Sequence, residues 1–251
     1  MKRNIHIAAI VSIIISLACL SVLAEEIEQK QPIFTVSTSY KSLLSTPEQT
    51  GMLDRIVKEA FYRIGIKAEI VFNPTARSSE DVNEGFADVE INRIEGMEEY
   101  YPNLVRVPEP NMVMNFVAFT RQSFKIEGWD SIKDLYIGIV SGWKILEENT
   151  ANFPHVVLVP TETELFNMLD KERVDIALYC SLAGYEQLML LGLKGIHHLE
   201  PPLASRNMYL YLNKKHQDLA EQVAQSLRSM KEDGTYEQIV KETTEHLLNY
   251  Q

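Results

Sequence analysis

The residue with the clearest capacity for ligand chemistry is Arg93, which follows a β-favouring run at 88–91 and has Asn92 beside it. A guanidinium presents a planar fork of donors that matches both oxygens of a carboxylate, and the neighbouring amide adds a neutral hydrogen-bonding group. Arg93 and Asn92 are therefore candidate ligand contacts. The alternative is a surface arginine paired with Glu95 or Glu98.

Four further side chains lie where predicted strands and helices meet loops: Tyr40, Arg77, Trp143 and Lys144. Arg77 and Lys144 each fall in the first turn of a predicted helix, where free backbone N–H groups favour a carboxylate or phosphate oxygen. Trp143 offers a flat apolar wall, and Tyr40 offers a stacking surface from the other side. The alternatives are packing between lobes for Trp143 and an ordinary loop position for Tyr40. Cations in both halves of the chain predict an anionic or zwitterionic ligand.

Cys180 lies between a predicted strand and a predicted helix, a position that can lower a thiol pKa. A nucleophilic thiol also needs a base, and the sequence places no histidine near it. A small packed apolar group is therefore favoured over a catalytic thiol. The adjacent pair His197 and His198 lacks the further ligand spacing of a metal site. We expect neither a metal nor a cofactor.

The start of the chain is typical of a secretory signal peptide at residues 1–24. Two basic residues precede an apolar run at 5–20, which is shorter than the roughly 20 residues that span a bilayer. Small residues then lead to a predicted cleavage site after Ala24. Lipidation at Cys19 is not expected, because Ser16 takes the place of an aliphatic residue.

The charge of the chain excludes one large class of partners. Removing two basic and no acidic residues with the signal peptide takes the formal net charge from −11 to −13. An acidic protein of this kind is a poor nucleic-acid binder. Cys180 would be the one cysteine left, so no intramolecular disulfide is expected in the oxidising compartment.

Strand-like and helix-like segments alternate along the rest of the chain. A strand at 33–38 precedes a helix at 48–64, in which apolar residues recur at every fourth position: Met52, Ile56, Ala60 and Ile64. A long β run at 111–120 then separates this unit from a second βαβ series at 136–179. Such alternation predicts an α/β protein with mostly parallel strands and two lobes.

The order and spacing of several short segments resemble the bacterial extracellular solute-binding proteins of family 3, which include polar amino-acid-binding proteins. These segments, which together cover roughly residues 31 to 245, are GMLDRI at 51–56, EGFAD at 84–88, WDSIKDL at 129–135, KERVDIA at 171–177 and KEDGTY at 231–236. The resemblance implies a type II periplasmic binding fold with two crossing strands. It implies lobe I at 31–118 and 200–251, lobe II at 119–199, and ligand capture by hinge closure.

At two positions the sequence departs from the amino-acid-binding members of that family. Their carboxylate-binding arginine, about a dozen residues past the aspartate at position 88, is replaced by Tyr100. Their acidic residue for the ligand amine is replaced by Cys180, which is therefore kept among the candidate ligand contacts. The resemblance thus supports the fold and does not transfer an α-amino acid as the ligand.

The resemblance implies a periplasmic, monomeric binding protein that takes a small-molecule ligand to the permease of an ABC-type importer. We expect no enzymatic activity. A ligand-sensing module for a membrane signalling protein is the first alternative. The second is a periplasmic lyase or dehydratase, in which Glu90 or Glu95 would act as a proton donor.

Overall fold

The computed structural model describes residues 31–39 and 43–248. The predicted signal peptide at 1–24, Cys19 and the candidate ligand contact Tyr40 lie outside these residues. Within them the strands are β1 Ile33–Thr38, β2 Lys67–Phe72, β3 Val89–Arg93, β4 Leu104–Arg106, β5 Met112–Thr120, β6 Ile137–Val140, β7 Val156–Val159, β8 Ile176–Cys180 and β9 His197–Asn213. The α-helices are α1 Met52–Tyr62, α2 Thr75–Asn83, α3 Lys144–Asn149, α4 Glu162–Asp170, α5 Ser181–Leu191, α6 Ala220–Glu232 and α7 Thr235–Leu248.

The strands form one curled sheet in the order β2-β1-β3-β9-β5-β8-β6-β7, with β4 paired to β9. The three strands at each end are mutually parallel, and the two long central strands β5 and β9 run antiparallel to their neighbours. β9 is 17 residues long, and it pairs with β3 near one end and with β5 along the rest. This topology confirms the predicted two-lobed α/β fold with two crossing strands. The residue boundaries of the lobes stay a prediction.

Helix α1 binds the sheet through an apolar face. Its buried side chains include Met52, Ile56 and Phe61, which share one core with Phe34 of β1 and Ile91 of β3. Burying such side chains contributes roughly 1.5–3 kcal/mol each. The helix predicted at 48–64 therefore forms, although it is shorter at both ends than its periodicity indicated.

The N-terminus of α1 is fixed by the carboxylate of Asp54. This carboxylate accepts hydrogen bonds from the main-chain N–H groups of Thr46 and Gly51, at 2.9 and 3.0 Å, and from the Ser45 hydroxyl at 2.5 Å. A Cβ at Gly51 would lie 2.7 Å from main-chain atoms of Leu44. The loop after β1 can therefore approach the helix this closely because residue 51 is glycine.

Among residues 31–39 and 43–248, no helix is long and apolar enough to cross a bilayer. The same residues contain no group of three or more His, Cys, Asp or Glu side chains that could hold a metal ion.

Candidate functional site

The neighbouring strands β1 and β3 have one apolar and one polar face. Their register pairs Val36 with Val89, and Ser37 with Glu90. Because side chains alternate along a strand, the two valines lie on the face covered by α1, and the serine and glutamate lie on the opposite face. A polar face of this kind is usually left to solvent, but Ser37 and Glu90 are both fully buried.

Helix α2 covers this polar face and contacts it through hydroxyl groups. The Ser37 and Ser78 hydroxyl oxygens lie 2.8 Å apart, and the Ser37 oxygen also accepts a hydrogen bond from Asn73 at 3.0 Å. One residue further along α2, the Ser79 hydroxyl donates to Oε1 of Glu90 at 2.8 Å. The layer between α2 and the sheet is therefore hydrogen-bonded where the layer beneath α1 is apolar.

A buried ion pair lies in this layer at the carboxyl ends of β1 and β3. Arg93 Nε donates to Glu90 Oε1 at 2.6 Å, and Arg93 Nη2 donates to the Ser39 hydroxyl at 3.2 Å. The two side chains are 10% and 0% exposed, respectively. The guanidinium is thus held at two atoms, Nε and Nη2.

The surface-arginine alternative for Arg93 is wrong. Arg93 is buried, and its carboxylate partner is Glu90, while Glu95 and Glu98 both form ion pairs with Arg106. The sequence alone could not distinguish these partners, because an acidic residue precedes Arg93 by three positions and two more follow it.

Asn92 gives β3 the irregularity that brings Arg93 back over Glu90. Its φ is 63°, in the left-handed region that asparagine tolerates better than most residues. The pairing of β3 with β9 shifts register between Glu90 and Arg93. Asn92 is buried and accepts a hydrogen bond from the Asn111 amide at 3.1 Å. A direct ligand contact from Asn92 stays a prediction.

The other two cationic candidates are exposed and each is paired within its own helix. Arg77 is 72% exposed and lies 3.5 Å from Asp81, one turn further along α2. Lys144 is 77% exposed and lies 2.9 Å from Glu147 in α3. The structure does not bring either cation to the Glu90–Arg93 pair, and their ligand roles stay predictions.

The loop before α3 is capped by the chain itself. The Glu147 carboxylate accepts the Gly142 N–H at 2.7 Å, and this hydrogen bond, together with the one from Lys144, lowers the pKa of Glu147. One of the N–H groups expected to hold a ligand anion is therefore already bonded. Trp143 next to it is half-buried and meets the rings of Phe116 and Tyr179 edge-on, at 5.4 and 5.5 Å. These contacts favour packing for Trp143, and a ligand contact stays a prediction.

Cys180 ends β8 opposite Phe116 of β5 and is only 2% exposed. Burial raises the pKa of its thiol, and the N–H groups of Ala183 and Leu182 oppose this shift. A buried thiol with a raised pKa is a weak nucleophile. This is the environment of a packed apolar group, and its contact with a ligand stays a prediction.

A direct contact joins the loop after β1 to helix α5 across the fold. The Leu43 N–H donates to Glu186 Oε1 at 2.7 Å, and the Leu43 side chain packs against the core around Phe166. The Leu43 carbonyl meanwhile accepts the Met52 N–H at 3.0 Å. Leu43 therefore links the start of α1 to the opposite flank of the sheet. Sequence reasoning missed Leu43 and Glu186, because nothing in their local pattern indicates a contact over 143 positions.

The curled sheet with its two crossing strands is a type II periplasmic binding fold. Residues 38–245 match the model of the bacterial extracellular solute-binding proteins, family 3. The chain belongs to this family. An uncharacterised protein of Shewanella oneidensis is 29% identical to it in an alignment of 196 residues, which covers 72% of this chain and 72% of that one.

Solved structures with the same fold differ in what their names say they do. The unliganded, open L-cystine solute receptor of Neisseria gonorrhoeae matches with a TM-score of 0.70 and 18% identity, over 88% of this chain and 96% of that one. A histidine kinase sensor domain similar to periplasmic binding proteins matches with a TM-score of 0.64 and 14% identity, over 85% and 96%. An ancestral amino-acid-binding protein, the precursor of cyclohexadienyl dehydratase, matches with a TM-score of 0.62 and 15% identity, over 87% and 97%. At these identities the likeness shows the fold alone.

Proposed function

We propose that this protein binds a small polar solute, anionic or zwitterionic, in the periplasm and delivers it to the permease of an ABC-type importer. The observation that carries the proposal is the buried Arg93 guanidinium, fixed by Glu90 and Ser39 at the carboxyl ends of β1 and β3. Ligands of open α/β sheets bind outside the carboxyl ends of the strands.

Arg93 is suited to anchor a ligand because it is already ordered. Immobilising a flexible side chain at an interface costs about 0.5–1.5 kcal/mol. Two hydrogen bonds hold Arg93 before a ligand arrives, and 10% of the side chain remains exposed. A ligand carboxylate would bind a donor that is already ordered, so this ordering cost would not reduce its affinity.

The Leu43–Glu186 contact supports capture by closure. It joins the loop that follows β1 to α5 on the opposite flank, and such a bond can form when the lobes are together. A ligand that bridges the lobes would be stabilised by every contact that favours the closed state.

A sensing role is favoured by one observation, the likeness to a histidine kinase sensor domain. Ligand capture would be the same in both roles, and the partner would differ. The enzyme alternative has less support, since Glu90 is already bonded to Arg93, and Glu95 is 67% exposed and paired with Arg106. A general acid needs a carboxyl that is free to hold and transfer a proton, and these two carboxylates are instead paired with arginines.

The test is thermal melting of the purified protein against amino acids, organic acids, phosphorylated solutes, polyamines and short peptides. A ligand at 100 times its dissociation constant stabilises by about 2.7 kcal/mol, which raises the melting temperature by several degrees. For the solute found, Arg93→Ala should weaken binding at least about tenfold. Arg55→Ala is the matched control, because Arg55 is a partly exposed arginine paired with Glu242. Equal affinities in the two variants would reject Arg93 as the anchor.

Delivery to a permease is tested by uptake. Cells that lack this protein should lose import of the labelled solute and regain it with the wild-type gene. Normal import in its absence, with loss of a solute-dependent transcriptional response, would establish sensing and overturn transport.

A further inference from the structure

Each of the three cationic candidates from the sequence has a carboxylate partner of its own. The pairs are Arg93 with Glu90 at 2.6 Å, Arg77 with Asp81 at 3.5 Å and Lys144 with Glu147 at 2.9 Å. Of these three pairs, only the first has both side chains buried. Water and salt screen exposed pairs strongly and buried pairs much less. The charges of Glu90 and Arg93 would therefore act on a bound solute more strongly than those of the two exposed pairs.

Glu90 affects Arg93 in two ways. Its Oε1 atom holds the Nε edge of the guanidinium, and its negative charge balances the positive charge of Arg93. Its Oε2 atom is buried and has no hydrogen-bond partner. Besides Arg93, the one described donor to this carboxylate is the Ser79 hydroxyl, which is neutral. Arg93 is therefore the group whose charge the Glu90 carboxylate balances.

We infer that Glu90 sets the net charge of the solute that this site accepts. Because Arg93 is paired with the Glu90 carboxylate, it donates hydrogen bonds but the pair adds no net positive charge, so the site suits a zwitterion and disfavours a net anion. The inference rests on the proposed function, and it narrows the ligand class of the same site. Glu90 acts through Arg93 and is a specificity-determining positioning residue.

The variant that isolates this role is Glu90→Gln. Glutamine keeps the size and the oxygen acceptor for Arg93 and Ser79, and it removes the charge. Arg93 then becomes a buried cation without a counter-ion, which is costly until an anion neutralises it. The variant should gain an affinity for anions that the wild-type protein lacks.

The experiment is thermal melting in increasing inorganic phosphate, with sodium chloride keeping the ionic strength constant. The melting temperature of the Glu90→Gln protein should rise by about 5 °C at 100 times its dissociation constant, and the wild type should not respond. Asp81→Asn and Glu147→Gln are matched controls, because they release the exposed cations Arg77 and Lys144. Both controls should behave like the wild type.

Three results would overturn the inference: no gain in the Glu90→Gln protein, an equal rise in the wild type, or an equal rise in the two controls. A second arm compares L-glutamine with L-glutamate, which have similar shapes and differ in net charge. If either binds, Glu90→Gln should shift their affinity ratio at least about tenfold toward glutamate, and an unchanged ratio would count against Glu90. If no solute stabilises the wild type, the proposed function fails, while the phosphate arm still measures the effect of Glu90.

Discussion

Helices α1 and α2 cover opposite faces of the same strands, and their interfaces differ in kind. Between α1 and the sheet lie apolar side chains such as Ile56 of the helix and Val36 and Val89 of the strands. Beneath α2 lie the Ser37–Ser78 hydrogen bond and the Glu90–Arg93 pair. An apolar layer is stabilised by area removed from water, whereas a polar layer depends on every group keeping its partner. The α1 side is therefore built for stability, and the α2 side exchanges stability for directed polar groups.

The largest expected effect comes from leaving one buried charge alone on the α2 side. Arg93→Ala leaves Glu90 as a buried charge without its partner, so the free energy of unfolding should fall by about 3–5 kcal/mol. The paired variant Glu90→Gln with Arg93→Met should recover most of this loss. Urea denaturation measures both, and a double variant no better than the single one would contradict the pairing.

A cavity on the α1 side should cost somewhat less. Ile56→Ala removes a fully buried side chain, and the free energy of unfolding should fall by about 2–4 kcal/mol. Ligand affinity should stay within about twofold for molecules that remain folded. The exposed Lys67→Ala is the control. If Ile56→Ala changed ligand affinity as much as Arg93→Ala does, the proposed difference between the two faces would be wrong.

A smaller effect is expected from the neutral hydrogen bond beneath α2. Ser37→Ala and Ser78→Ala, combined in a double-mutant cycle, should show a coupling of about 1 kcal/mol. Calorimetric melting of the four proteins gives this value. A coupling near zero would mean that α2 is held to the sheet by something other than its hydroxyl contacts.

The smallest effect concerns polar contacts at the periphery of the α1 side. Arg63 bonds to Asp233 at 2.6 Å, and this hydrogen bond is the main reason that the Asp233 pKa falls from 3.8 to about 2. Because the folded pKa is the lower one, the contribution of Asp233 to stability is complete above about pH 4 and is lost as the pH falls toward 2. Melting temperatures across this range should fall less steeply for Asp233→Asn than for Glu232→Gln. Equal slopes would show that the exposed pair contributes nothing.

Prediction from the sequence succeeded where the pattern was local and repetitive. The four-residue repeat of α1 and the long β run at 111–120 both correspond to observed elements, since burial imposes these periods. The ligand contact predicted for Arg93 stays a prediction. The sequence did not indicate its carboxylate partner Glu90, because β-sheet register and a bulge at Asn92 decide which carboxylate Arg93 reaches.

The alternation in β1 and β3 was present in the sequence and could have indicated Glu90. A polar face is ordinarily a solvent face, however, so the pattern alone gives no reason to expect burial. The face is buried because α2 packs over it, and this packing is decided by the tertiary structure.

The sequence by itself determined the α/β alternation, the two crossing strands and the family, because these follow from hydrophobic period and from short segments in a fixed order. Only the tertiary structure decided that Arg93 is buried and neutralised by Glu90, that Arg77 and Lys144 stay exposed with their own carboxylates, and that Leu43 meets Glu186. The physical reason is that charge pairing and burial depend on distances in space, and residues far apart in the chain set those distances.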